Sequence, residues 1–127
     1  RLLLQSPSLS LNLMTIYPFS MANIRSKKML NGAEGQPCVN CGVRDGTVVA
    51  AHYTGIRAQL LGKGKAEKPH DLCVADLCAK CHSAFDRYEV SNMNTKYMRQ
   101  IDQSEQFLYN IIRTLIRRYE QDILNVE

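Results

Sequence analysis

The sequence has no uninterrupted apolar segment of the roughly 20 residues that a membrane-spanning helix needs. Its first twenty residues are rich in apolar side chains, but serine, proline, glutamine and asparagine interrupt them. This segment also lacks a basic n-region beyond Arg1 and a small-residue cleavage site, so neither a membrane helix nor a signal peptide is predicted. Internal repeats and low-complexity tracts are absent too, which excludes a repeat array.

The length of 127 residues suits one domain with a modest core and is too short for two. The chain opens on Arg1, and its composition changes from apolar-rich to basic at Met21, where "MANIRSKK" begins. We therefore expect Met21 to be the natural start and residues 1–20 to be a disordered or non-native extension. Residues 21–90 are expected to form the functional domain, and residues 91–127 a helical extension packed on its core.

Charge is distributed unevenly along a chain whose net charge is +4. Residues 22–68 carry eight basic and three acidic side chains, whereas residues 69–127 carry seven basic and nine acidic ones. This imbalance predicts that a surface for a polyanionic partner lies in the first half. Residues 54–71 form a long, glycine-containing connection that we expect to be mobile. The side chains in this connection that are expected to contact nucleic-acid phosphates are Arg57, Lys63, Lys65 and Lys68. A solvated loop is the alternative interpretation of these charges.

Four of the five cysteines form two C-x2-C pairs, Cys38 with Cys41 and Cys78 with Cys81. Such pairs indicate metal binding in a reducing compartment better than a disulfide framework, so a cytoplasmic location is expected. Four thiolates suffice for a closed tetrahedral zinc site of the structural kind. Cys73 lies outside this pattern and is expected to be a small core residue. Thiol redox chemistry is the weaker alternative.

The pattern of apolar residues predicts an α+β fold. A β-branched segment over residues 47–53 predicts a first strand with His52 at its end. A second short strand over residues 72–77 leads directly into the second cysteine pair. A helix is then expected from about His82 to Tyr88.

The C-terminal third predicts a long amphipathic helix. Asp102 followed by Glu105 resembles a capping box, which predicts a helix start near residue 103. A small apolar set, Tyr97, Met98 and Ile101, precedes this point. The main apolar residues at helical spacing are Phe107, Leu108, Ile111, Ile112, Leu115, Ile116, Tyr119, Ile123 and Leu124. We interpret this stripe as core, with a homodimer contact as the second possibility.

Four polar residues near these elements are candidates for catalysis. His82 and Asp86 are four positions apart on the predicted helix, so both can reach one divalent cation; a surface hydrogen bond is the alternative. His52 is a candidate general base, because imidazole titrates near neutrality; a satisfied histidine at a strand end is the alternative. The order strand, loop, strand, helix brings these residues and Asp71 around one cleft.

The segments "CVNC", "AAHY", "HDLCVADLCAKCH" and "AKCHSAFD", in this order, resemble the HNH nuclease superfamily, whose ββα-metal core is often braced by a four-cysteine zinc site. The opening "MANIRSKK", followed by "GQPC", extends the similarity to small phage and prophage proteins of that superfamily. The resemblance covers about residues 21–88. It implies that His52 is the water-activating base, that His82 is the metal ligand on the helix, and that Asp86 is a second helix ligand for Mg²⁺ or another divalent ion.

Two positions depart from the family pattern. Ala51 stands where many HNH sites carry a metal ligand, and the central asparagine has no clear counterpart, since Cys73 falls near its usual spacing. His70 and Asp71 are the nearest polar residues. We favour Asp71, whose carboxylate can either orient the His52 imidazole or supply the missing ligand.

The sequence therefore predicts a metal-dependent endonuclease that hydrolyses phosphodiester bonds in DNA, encoded by a phage or prophage and acting in the bacterial host cell. The alternative is a non-catalytic zinc-binding module that interacts with nucleic acid or protein.

Overall fold

A computed structural model describes residues 22–127, so the expectation for residues 1–20 lies outside the described residues. The chain forms the predicted small α+β fold around one short sheet. Its elements in order are helix α1 (Lys27–Asn31), strand β1 (Val49–His52), a 3₁₀ helix (Ala58–Leu61), strand β2 (Val74–Leu77), helix α2 (Ala79–Asp86) and helix α3 (Lys96–Glu120).

The two strands pair antiparallel, with Val49 opposite Leu77 and His52 opposite Val74. All four residues of β2 are buried, whereas only Ala51 is buried in β1. This difference arises because α2 and α3 both pack against β2. The buried strand β2 thus leads directly into the second cysteine pair.

Helix α2 begins three residues earlier than the sequence predicted. Cys78 caps it, because its Sγ accepts a hydrogen bond from the backbone N–H of Cys81 at 3.5 Å. The helix ends at Asp86, and Tyr88 adopts a positive φ of 57° that no helix continues through. The predicted span from His82 to Tyr88 was therefore wrong at both ends, although His82 and Asp86 do share one helix.

Helix α3 begins at Lys96, so the predicted start near residue 103 was wrong. The Oγ1 atom of Thr95 accepts a hydrogen bond from the N–H of Met98 at 3.1 Å and caps the helix. Asp102 and Glu105 therefore lie inside the helix, because a suitable cap exists two turns upstream of them. Even this longest helix lacks the apolar stretch that a membrane crossing requires, and the same holds for the other helices of residues 22–127.

Three buried aromatic rings connect α3 to the rest of the core. Phe107 packs edge-on against Tyr53, with ring centroids 5.4 Å apart, and at a tilt against Phe85 at 4.9 Å. Tyr53 directly follows β1, and Phe85 lies in the last turn of α2. The aromatic cluster therefore holds the end of β1 and the end of α2 against the same helix.

The inner face of α3 is more polar than its apolar pattern predicted. Phe107 and Ile111 are buried as expected, but Ile112, Ile116 and Tyr119 are exposed. Buried polar residues occupy much of the face that meets the sheet, namely Gln103, Ser104, Asn110, Thr114 and Arg118. The expectation that the whole stripe is core was thus only partly correct.

Candidate functional site

The structure brings together the four cysteines of the two C-x2-C pairs, which 36 residues separate in sequence. Their Sγ atoms all lie within 4.8 Å of one another, and those of Cys41 and Cys78 are 3.8 Å apart. Sulfur ligands 2.3 Å from a tetrahedral zinc ion are themselves about 3.8 Å apart. The donor set and its spacing therefore fit a metal ion such as zinc.

The first cysteine pair is shaped by a tight turn that is tied to the sheet. The N–H of Cys38 donates to the carbonyl of Val43, and the N–H of Gly42 donates back to the carbonyl of Cys38, both at 2.8 Å. The N–H of Val39 donates to the carbonyl of Asp76 in β2, also at 2.8 Å. The turn thus lies beside the strand that leads into the second pair.

An asparagine bridge connects the cysteine cluster to α3. Asn40 donates to the sulfur of Cys81 at 3.3 Å and accepts from the amide of Asn110 at 3.0 Å. Asn110 is a buried residue of α3. The cluster is therefore fixed to the sheet on one side and to the long helix on the other.

The thiols differ in acidity. Burial raises the pKa of the Cys81 thiol to about 12. Burial also raises the pKa of Cys38, but backbone hydrogen bonds from Cys78, Cys41 and Asn40 outweigh it and bring that pKa down to about 7. Because a thiol must lose its proton to bind a metal, binding at this cluster releases protons and strengthens as the pH rises.

The structure also brings His52 and Asp71 together. His52 Nε2 lies 2.8 Å from Asp71 Oδ1, and the two side chains are 14% and 4% exposed. Asp71 Oδ1 also accepts from Arg25 Nη1 at 3.0 Å, and its Oδ2 accepts from the N–H of Ser26 at 2.7 Å. Both carboxylate oxygens therefore already have hydrogen-bond donors.

These contacts determine which nitrogen of His52 carries the proton. Burial raises the pKa of Asp71, but hydrogen bonds from His52, Ser26 and Arg25 outweigh it, so the pKa is lowered overall. An ionised carboxylate only accepts hydrogen bonds, so His52 Nε2 must be the donor. The other ring nitrogen, Nδ1, then keeps its lone pair in the neutral imidazole.

Residues 23–26 hold the connection that leads to Asp71. Asn23 donates to the carbonyls of Gly62 and Lys68 at 2.6 and 2.9 Å. The N–H of Asp71 donates to the carbonyl of Ile24 at 2.9 Å. The connection predicted to be mobile thus contains a 3₁₀ helix and is joined to the N-terminal segment at several points.

Arg25 and Ser26 are site residues that the sequence did not reveal. Both donate to Asp71, and Arg25 also donates to the carbonyls of Lys68 and Pro69 at 2.8 and 2.7 Å. Their only signal was the basic segment "MANIRSKK", which gives no indication of a contact some 45 residues away.

His82 and Asp86 lie on one face of α2, with His82 Nε2 3.8 Å from Asp86 Oδ2. The side chains are 38% and 51% exposed, so solvent and ligands can reach them. Over residues 22–127, the four-cysteine cluster is the only set of three or more such side chains close enough to share one ion. His82 and Asp86 therefore present two ligands, and Asp71 does not join them.

Gln103 connects the His52 end of the sheet to the Asp86 end of α2. This fully buried amide donates to the carbonyl of Phe85 at 3.1 Å and to Thr54 Oγ1 at 3.3 Å. Thr54 is two residues beyond His52, and Phe85 directly precedes Asp86. Sequence reasoning missed Gln103, because a glutamine in an amphipathic helix is ordinarily a solvent-facing residue.

The predicted nucleic-acid contacts lie on the surface of the connection that ends at Asp71. All four side chains are exposed, and they belong to Arg57, Lys63, Lys65 and Lys68. Arg57 directly precedes the 3₁₀ helix, and Lys68 is three residues before Asp71. His70 is already engaged, since its Nδ1 accepts from the N–H of Ile24 at 2.8 Å.

Comparison with protein-family models, with curated proteins and with solved structures finds no match for this chain.

Proposed function

We propose that this protein is a metal-dependent endonuclease that hydrolyses phosphodiester bonds in DNA, with zinc in the four-cysteine cluster as a structural ion. The observation that carries the proposal is the hydrogen bond from His52 Nε2 to the buried carboxylate of Asp71. A histidine held in this way has a defined tautomer and orientation, which a general base requires.

His52 acts on the attacking water through Nδ1. This nitrogen removes a proton as the water oxygen forms a bond to phosphorus, and the imidazolium that results is stabilised by Asp71. The phosphorus–oxygen bond on the opposite side breaks, and the leaving oxygen takes a proton from solvent. Arg25 and Ser26 are positioning residues, because they contact Asp71 and not the reacting atoms.

His82 and Asp86 are the proposed ligands of the catalytic divalent ion, together with phosphate oxygens and water. Mg²⁺ ordinarily keeps several waters and binds few protein groups, so two ligands are compatible with it or with Mn²⁺. When bound, such an ion stabilises negative charge on the phosphate and on the leaving oxygen. The shared aromatic cluster and Gln103 support this assignment, since both connect the residues beside His52 to those beside Asp86.

DNA is the proposed substrate because the connection that ends at Asp71 carries exposed positive charge. Arg57, Lys63, Lys65 and Lys68 can contact successive phosphates without reading bases. We therefore expect little sequence specificity and an affinity that falls as salt concentration rises.

The proposal is tested by incubating zinc-loaded protein with supercoiled plasmid in Mg²⁺, in Mn²⁺ or without an added divalent ion. We expect nicking that needs the added ion and that falls by at least about 100-fold in His52→Ala and His82→Ala. Lys80→Ala, an exposed change on the same helix as His82, is the matched control and should cut like the wild type. Full cleavage by folded His52→Ala would refute the proposed base.

A non-catalytic zinc module that binds nucleic acid or protein is the second candidate. It is favoured by the observation that, in the described part of the chain, His82 and Asp86 gain no third protein ligand. This alternative predicts that plasmid, single-stranded DNA and branched DNA are bound but remain intact. It also predicts that His52→Ala changes no measured activity, whereas loss of a cluster cysteine unfolds the protein.

A further inference from the structure

Helix α3 carries a second apolar line that runs along the edge between its core-facing side and its exposed side. The line follows the alternating spacing of three and four residues that is typical of a coiled-coil seam. Its apolar members are Met98, Ile101, Leu108, Ile112, Leu115 and Tyr119. Glu105 occupies the one remaining position of the repeat, so the pattern extends over three heptads.

Leu108 and Leu115 are half-buried and pack against the core, whereas the other apolar members of the line are exposed. Met98, Ile101, Ile112 and Tyr119, with Tyr109 and Ile116 beside them, are each between 41% and 58% exposed. A large side chain offers about 200 Å² when fully exposed, so these six present on the order of 600 Å² of surface. A standard protein interface buries about 800 Å² per partner, and weaker ones about 600 Å². The face is therefore large enough for a dimer of the weaker class.

We propose that this face of α3 binds the same face of a second copy of the chain, forming an antiparallel helix pair related by a two-fold axis. A two-fold interface requires a self-complementary surface, and a heptad line on a single helix provides one.

The position of Glu105 determines the orientation. In a parallel pair, Glu105 would meet Glu105 of the second copy, and two buried like charges repel. In an antiparallel pair centred between Leu108 and Ile112, Glu105 lies opposite Leu115 of the second copy. The same arrangement brings Tyr109 close to Tyr109 of the second copy, beside the two-fold axis.

Analytical ultracentrifugation of the full, zinc-loaded chain over a range of concentrations tests the interface. The wild type should be a dimer, and Ile112→Glu should raise the dissociation constant at least 100-fold while leaving the zinc content and circular dichroism unchanged. Val126→Glu places the same charge on another exposed apolar residue and should dimerise like the wild type. A wild type that is monomeric at all concentrations, or an Ile112→Glu protein that dimerises normally, overturns the proposal.

Two further variants test the contribution of Glu105 and the orientation of the helix pair. Glu105→Leu replaces the one charged residue of the apolar line and should tighten the dimer. Tyr109→Cys in the zinc-loaded protein should form an intermolecular disulfide in an antiparallel pair; a dimer that does not crosslink there overturns the antiparallel arrangement.

Residues 1–20 of the same chain are the other occupant to be tested. If they cover the face, the full chain is monomeric and a chain beginning at Met21 associates, which also overturns the proposal.

Discussion

Asp71 shows how much of the candidate site depends on a single carboxylate. It accepts hydrogen bonds from the imidazole of His52, the guanidinium of Arg25 and the backbone of Ser26. The last two come from a segment some 45 residues earlier, so the carboxylate joins the N-terminal segment to the end of β1. Asp71 therefore has two separable effects, one on the orientation of the His52 imidazole and one on the stability of the folded protein.

The first effect is tested with Asp71→Asn. The amide is neutral and has only one acceptor oxygen, so it no longer fixes the proton on His52 Nε2. We expect plasmid cleavage to fall by at least about 100-fold while the affinity for DNA stays within twofold. Glu34→Gln neutralises an exposed carboxylate elsewhere and should retain full activity. Equal losses of binding and cleavage in Asp71→Asn would instead indicate a purely structural role.

The second effect appears in the pH dependence of stability. The pKa of Asp71 is lower in the folded protein than its ordinary value, since its hydrogen bonds outweigh burial. Its ionisation therefore stabilises the fold at neutral pH, and this contribution is lost as the pH falls below the unfolded-state pKa of about 3.9 towards the folded one.

Urea unfolding of the wild type and of Asp71→Asn at several pH values between 7 and 3.5 measures this contribution. The difference in unfolding free energy between the two proteins should be largest at pH 7 and should narrow towards pH 3.5. Loss of zinc at acid pH affects both proteins and cancels in the difference. A difference that stays constant with pH would show that the charge of Asp71 does not stabilise the fold.

Among the secondary-structure elements, β2 and α3 are joined by a buried ion pair rather than by apolar contacts alone. Arg118 of α3 and Asp76 of β2 are both completely buried, and Arg118 Nη1 lies 2.9 Å from Asp76 Oδ2. Arg118 Nε also donates to the carbonyl of Met29 in α1 at 2.8 Å. A Cβ at Gly32 would lie 2.5 Å from that Nε atom, so glycine leaves the space that the guanidinium occupies.

Replacing Arg118 by alanine should therefore cost more than an ordinary surface change. It leaves Asp76 with only Arg117, at 2.8 Å, and removes the link to α1. We expect a loss of about 3–5 kcal/mol in the free energy of unfolding, measured with urea. Arg87→Ala breaks an exposed pair with Glu89 and should change stability by less than about 1 kcal/mol. Similar small losses in both variants would contradict a structural role for the buried pair.

At the scale of the whole molecule, the cysteine cluster joins the turn that precedes β1 to the start of α2. Cys78 caps α2, and the turn that carries Cys38 is hydrogen-bonded to β2. With a metal bound, these parts become one rigid unit, and the binding free energy adds to folding stability. The ion would thereby also fix the start of the helix that carries His82 and Asp86.

The metal contribution is tested with Cys78→Ser and the matched variant Cys73→Ser. Cys78→Ser should lose stoichiometric zinc and melt more than about 10 °C lower, since each kcal/mol corresponds to roughly 4–8 °C in a domain of this size. Cys73→Ser changes the cysteine outside the cluster and should keep one zinc per chain by elemental analysis. Normal zinc content in Cys78→Ser would refute the four-cysteine assignment.

The sequence by itself predicted the features that depend on local spacing. Two C-x2-C pairs predicted the metal cluster because two residues between cysteines place both sulfurs on one turn. The patterns of β-branched and apolar residues predicted the ends of both strands to within two residues. The spacing of four residues between His82 and Asp86 placed both on one helical face. The helix starts were misplaced because the side chains of Cys78 and Thr95 cap the helices by accepting backbone N–H groups, and their residue types alone do not show that they do so.

Only the tertiary structure decided which distant groups meet. Asp71 lies beside His52 because Arg25 and Ser26 hold the connection, and Gln103 is buried because it satisfies the end of α2. Likewise, Arg118 lies on the buried side of α3, where it meets Asp76 of β2, whereas Ile112 and Ile116 of the apolar stripe are exposed. Such pairings depend on hydrogen bonds between residues far apart in sequence, which local patterns do not encode, whereas helical and strand periodicity does follow from neighbouring residues.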